Sequence, residues 1–168
     1  NNSVLRCMKS YQDDPETFAK SLSVNGTGLF AITRAFGDHM AENGSGSIIN
    51  IGSYMGNLGC NDFLYEEVPH YSAFAAPDYF YHKGGMHNLT RFMESYYGPK
   101  GVRCNCVALG GLFNNQDERF LERYNKCTFL KRMANQTDIQ GIIVYLASDA
   151  SLYTTGTVID IDGGYAAK

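Results

Sequence analysis

From Asp14 onward, apolar positions recur at steps of three and four: Phe18, Leu22, Leu29, Ile32, Phe36 and Met40, with Asn25 as the polar exception. That spacing predicts one face of a long amphipathic helix over 15–41. Asp14 followed by Pro15 supplies a capping side chain and a first-turn proline. Gly44 and Gly46 end the pattern, and the β-branched run Ser47–Ile51 predicts a buried strand. A second helix is expected from Pro77-Asp78 to Tyr97, stopped by Gly98-Pro99, with Gly84 and Gly85 implying a close backbone approach inside it. The segment 101–107 predicts another strand, broken at Gly110-Gly111. The polar stretch 114–132 predicts partial helix. Thr137 is expected to cap a helix running to Ala147, and 157–161 reads as a last strand.

Helices alternating with strands predict an α/β fold: a doubly wound parallel sheet in a single domain over 1–168. Three strands make a thin sheet, so further strands are expected to precede Asn1.

Composition narrows the classes. A formal net charge of -3, without a basic run, argues against a nucleic-acid surface. No apolar stretch approaches the roughly 18 residues of a membrane span. Five cysteines without a paired framework predict buried free thiols in a reducing cytoplasm. The four histidines show no metal-ligand spacing.

Candidate chemistry gathers on four residues. Tyr79 and Lys83, four apart near a helix start, share a face. Ser53 sits at the carboxyl end of a strand, where open α/β sheets place ligands. Asn25 is a polar side chain on an apolar stripe. A tyrosine ionises near about 10, and bringing it to neutrality takes about 4 kcal/mol of preferential phenolate stabilisation. A neighbouring ammonium is a suitable source, and a serine hydroxyl can hold a substrate oxygen while the tyrosine exchanges its proton. Tyr81, two residues from Lys83, points elsewhere.

With these residues in this order, the chain resembles the catalytic, C-terminal half of a short-chain dehydrogenase/reductase. The family's serine, Y-x-x-x-K and upstream asparagine are matched by Ser53, Tyr79 with Lys83, and Asn25. Its N-N-A-G segment resembles Asn1-Asn2-Ser3-Val4, and its P-G turn resembles Leu109-Gly110. The closing pattern resembles Leu146–Asp149, Thr155-Gly156 and Asp162-Gly163-Gly164. The resemblance implies a Rossmann-type sheet and NAD or NADP as cofactor. Tyr79 is then the general acid/base, lowered by Lys83, which also grips the nicotinamide ribose. Ser53, with Tyr54, would meet the substrate, and Asn25 would hold a water of the proton relay. Asn1, Ile51, Gly110, Leu112 and Asn114 would join the cofactor site. A homodimer or homotetramer through the helices at 15–41 and 78–97 is also implied.

Two departures stand out. Ser53 and Tyr79 are 26 positions apart, about twice the family interval. The extra residues include Asp62, Phe63, Tyr65, Glu66, Glu67, His70 and Tyr71, which suits either a surface loop or a flap over a sugar. This insertion is similar to that of oxidoreductases of flagellin modification and nonulosonate sugar synthesis. The glycine-rich pyrophosphate turn is the second departure: it is not found in this sequence. An enoyl reductase of the same superfamily would need a tyrosine at 76, where Ala76 stands. A catalytically incomplete fragment, or a binding module that kept the fold, is the alternative reading.

Overall fold

The computed structural model describes residues 8, 11–69 and 76–167. Asn1 and its neighbouring motif, with His70 and Tyr71 of the insertion, lie outside the described residues.

Helix α1 (Pro15–Leu22) begins as expected, with the Asp14 carboxylate accepting from the backbone N–H of Glu16 at 2.8 Å. It then passes through a π turn, Ser23–Thr27, into α2 (Gly28–Glu42). A π turn accommodates an extra residue, so a stripe drawn at 3.6 residues per turn loses its register across it. The expected apolar face is corrected accordingly. Ile32 and Phe36 are 56% and 58% exposed, whereas Thr33 and Gly37 are buried. At Gly37 a Cβ would lie 2.6 Å from the ring of Tyr97, so glycine is what lets α2 approach α3 (Pro77–Tyr97). The Tyr97 hydroxyl donates to the Asp38 carboxylate there at 2.8 Å.

Strands β1 (Gly46–Ser53), β2 (Val102–Leu109) and β3 (Val158–Ile161) form a parallel sheet in that order. Side chains alternate between the faces. Ile48, Val102 and Cys104 pack with Met93 and Tyr97 of α3 and with Met40 and Ala41 of α2. On that same face Asn50 donates to the Thr90 hydroxyl at 2.9 Å. From the opposite face, Ser47 donates to the Leu146 carbonyl of α5 (Thr137–Ala147) at 2.8 Å. Helices therefore cover both faces, as the doubly wound expectation required. The register Ser53↔Leu109 and Leu109↔Ile161 aligns the carboxyl ends of all three strands along one edge.

Other expectations shift in detail. The polar stretch yields α4 (Glu118–Cys127). Thr137 lies inside the first turn of α5 instead of capping it. The Asn135 side chain takes that role, accepting from the N–H groups of Thr137 at 2.9 Å and Asp138 at 3.1 Å. Gly84 and Gly85 do not mark a close approach. A Cβ at Gly84 would meet the Gly56 carbonyl oxygen only at 3.5 Å, and one at Gly85 would meet nothing within 4 Å. Cys104 and Cys106 are buried free thiols, and burial pushes them up to about 12 and about 11. Cys60, by contrast, is exposed and Cys127 half-buried. Among the described residues, no helix is long and apolar enough to cross a membrane.

Candidate functional site

Lys83 is only 8% exposed, so its ammonium must find partners. It donates to the carbonyl oxygen of Ile51, near the carboxyl end of β1, at 2.8 Å, and lies 5.6 Å from the ring centroid of Tyr79. Burial lowers its pKa, with neighbouring Cys106 opposing the shift. An ammonium carries three N–H donors, and Ile51 uses one. Tyr79, one helical turn earlier, is half-buried, with its N–H bonded to the Ala76 carbonyl at 2.9 Å. Tyr81 points away: it is 58% exposed and packs edge-on against Phe18 at 5.3 Å.

Ser53 closes β1, buried, and its hydroxyl oxygen accepts from the Met55 N–H at 3.2 Å. An oxygen held this way keeps its own proton to give. The following residue, Tyr54, enters the core beneath the site. Its ring packs against Tyr165 at 4.5 Å and Tyr124 at 6.4 Å. Burial raises its pKa, and the neighbouring phenols Tyr124 and Tyr165 add to that. Asn25 lies in the π turn, its amide turned into its own helix, donating to the Ser21 carbonyl at 3.1 Å and the Ser21 hydroxyl at 3.3 Å. The structure thus joins Lys83, Tyr79 and Ile51 directly, while Asn25 reaches them through other residues.

At the end of β2, Gly110 donates to Ile161 at 2.9 Å and Gly111 donates to the Tyr124 hydroxyl at 2.5 Å. A Cβ at Gly110 would lie 2.7 Å from the Asp162 Cα, so this turn can follow the third strand only with glycine. Leu112 is 39% exposed and bridges to Ala134, and the Asn114 N–H is taken by Gln116 Oε1 at 2.7 Å. A cavity of about 270 Å³ opens here, lined by Gly110, Tyr124, Arg132, Asp138 and Asp162 among others. Tyr124 was not legible beforehand: its helix was expected, but a hydroxyl reaching back to a glycine N–H has no spacing signature. Burial pushes it up to about 12, so it stays a neutral phenol.

The first part of the insertion is docked. Leu64 and Val68 are 1% and 4% exposed, with Leu64 in a cluster containing Tyr54, Tyr124, Met133 and Tyr165. Arg123 of α4 donates to the Glu66 carbonyl, pairs with the Glu67 carboxylate at 3.9 Å, and covers the Phe63 ring at 5.6 Å. Asn61 donates to the Tyr165 hydroxyl at 2.9 Å.

Comparison with known proteins matches this geometry to a family. A family model described as enoyl-(acyl carrier protein) reductase matches residues 6–166. Galactitol 2-dehydrogenase (L-tagatose-forming) of Cereibacter sphaeroides is 30% identical over 168 residues, covering 96% of this chain and 62% of that protein. The chain belongs to the short-chain dehydrogenase/reductase family. Post-translational flagellin modification protein A of Campylobacter coli, another relative, is 30% identical over 92% of this chain and 59% of its own. Among solved structures, a short-chain dehydrogenase of Leptospira borgpetersenii with bound NAD+ superposes with a TM-score of 0.83 at 31% identity, over 94% of this chain and 59% of that one. A gluconate 5-dehydrogenase of Burkholderia cenocepacia in complex with NADP and tartrate gives 0.80 at 25% identity, over the same shares. The chain therefore spans about six-tenths of the length of these relatives.

The donors present fit the nicotinamide end of such a dinucleotide. Lys83 keeps two N–H groups beyond its bond to Ile51. Leu112, three residues past the end of β2, stands exposed.

Proposed function

We propose that this chain carries the proton-transfer and nicotinamide-holding part of an NAD(P)-dependent oxidoreductase. It interconverts an alcohol and a carbonyl on a sugar-like substrate. The observation that carries this reading is the Lys83–Ile51 hydrogen bond, which pins a buried cation beside the Tyr79 ring at the carboxyl end of the sheet.

A bound nicotinamide would supply or accept the hydride. Tyr79 exchanges the proton of the substrate oxygen, with the Lys83 ammonium 5.6 Å from its ring centroid. Ser53 holds the substrate oxygen with the proton that its bond from Met55 leaves free. Lys83 would hold the ribose, and Gly110, Leu112 and Asn114 would hold the carboxamide. Asn25 holds a water of the relay. The docked insertion, with Arg123, borders the substrate side. Carboxylates and aromatics there suit a polyhydroxylated ligand, and the named relatives act on galactitol and gluconate. Exposed Phe30, Phe92 and Tyr96, around an apolar hollow between α2 and α3, support pairing with a second copy.

The test is reduction of NAD+ and NADP+, followed at 340 nm, with a panel of polyols, aldoses and sugar acids, beside a Tyr79→Phe variant. Turnover with at least one sugar-like substrate, falling by about 10²- to 10⁴-fold in the variant, supports the reading. Turnover that survives the loss of the phenol overturns it.

A further inference from the structure

Three polar side chains meet between α1 and α3, away from the open cleft. Ser21, Asp78 and His82 are 0%, 2% and 7% exposed. The Ser21 hydroxyl lies 2.5 Å from Asp78 Oδ2, 2.9 Å from His82 Nε2 and 3.3 Å from Asn25 Nδ2. A hydroxyl has one proton and two lone pairs. The Ser21 hydroxyl donates its proton to Asp78 Oδ2. His82 must then bring its hydrogen on Nε2, and Asn25 donates to the remaining lone pair. The serine oxygen is thereby saturated. Its saturation fixes the His82 tautomer, and together with the Ser21 carbonyl, which accepts from the Asn25 amide at 3.1 Å, it sets which end of that amide points inward.

This cluster is a poor way to hold two helices together. Asp78 Oδ1 and His82 Nδ1 have no partner among the described residues. A buried carboxylate with an unmet oxygen costs more than the apolar packing that could replace it. Its members are, however, placed against the machinery. Asp78 directly precedes Tyr79, His82 directly precedes Lys83, and Ser21 is one turn before Asn25.

We infer that Ser21, Asp78 and His82 are positioning residues: they orient the Asn25 amide and fix the π turn against the helix that carries Tyr79 and Lys83. The inference rests on the role proposed above for Asn25. The Asn25 carboxamide oxygen is then the end left to meet the relay water, and the cluster acts on turnover through Asn25 without touching substrate.

The test uses Ser21→Ala, His82→Gln and His82→Leu in the full chain, with steady-state kinetics beside melting curves. Ser21→Ala and His82→Leu should lower kcat about tenfold or more, with the cofactor KM held within about twofold. His82→Gln keeps a donor near the Nε2 position and should stay within about threefold of the parent. A Ser21→Ala protein with lower Tm but unchanged kcat would reduce the cluster to helix packing and overturn the inference. A second readout does not depend on turnover. In ¹⁵N-histidine-labelled protein His82 should be protonated at Nε2, and the Asn25 amide protons should exchange faster with solvent in Ser21→Ala. Protonation at Nδ1 alone, or unchanged exchange, sinks the inference. A parent protein inactive on every sugar and cofactor refutes the proposed function instead, and the labelling experiment still decides the network.

Discussion

Lys83 donates its ammonium to the carbonyl of Ile51 across 2.8 Å, tying the helix that carries Tyr79 to the end of the central sheet. The same charge lies 5.6 Å from the Tyr79 ring. Lys83→Met removes the charge but keeps the bulk of the stem. It should lower kcat by about 10²-fold or more while the far-UV spectrum stays native. Near-parental turnover would remove Lys83 from the mechanism.

Tyr124→Phe deletes the hydroxyl that takes the Gly111 N–H. A half-buried donor is left unmet, which should cost about 1 kcal/mol in urea unfolding. Because Gly111 precedes Leu112, weaker NADH or NADPH binding by fluorescence titration should accompany the stability loss. Unchanged affinity would mean that the phenol only packs.

Acid should destabilise the fold through its buried histidines. Burial lowers His82, with Asp78 opposing and Lys83 adding; burial also lowers His87, with Arg91 and Lys83 adding. Between those lowered values and the unfolded value of about 6.5, the unfolded chain binds more protons. Stability therefore rises with pH in that window. It is complete above about pH 6.5 and declines as the pH falls below it, until the folded-state values are passed. Melting temperatures at stepped pH should show this slope, and His87→Gln should flatten it. Parallel slopes for parent and variant would contradict the assignment.

Ala76 opens α3 in the left-handed region, at φ 66° and ψ 49°, directly before Pro77. A residue with a Cβ is disfavoured there, doubly so ahead of proline. Ala76→Gly should raise stability by about 1 kcal/mol, read as a higher denaturant midpoint at unchanged m-value. A lower midpoint would mean that the side chain, which is 5% exposed, contributes more by packing than the backbone loses.

Phe36→Glu with Phe92→Glu places charges on exposed apolar positions of α2 and α3. If copies of the chain pair through these helices, sedimentation should shift from dimer or tetramer to monomer at micromolar concentration. A parent that is already monomeric there would end that reading.

What the sequence disclosed follows from how local each signal is. Tyr79 and Lys83 share a helix, so their common face is arithmetic, and Ser53 is marked by the strand that it closes. Tyr124 could not be foreseen, because its partner Gly111 is set by tertiary packing. The cluster of Ser21 with Asp78 and His82 joins residues about sixty positions apart. A 3.6-residue period places Ile32 and Phe36 inward because it cannot register a π turn. Asn135 displaces Thr137 as the cap of α5 through a side-chain bond that either residue type could make.

The π turn at Ser23–Thr27 has a consequence for anyone who would harden this protein. Removing one residue there would give a straighter, more regular helix, the kind of change usually chosen for thermostability. It would also rotate everything from Leu29 to Met40 by about 100° around the helix axis. Thr33 and Gly37 would swing out of their seats, the glycine would leave the Tyr97 ring, and Asn25 would lose its place against Ser21. Here the irregular turn acts as a spacer, and regularising it would exchange reactivity for heat resistance.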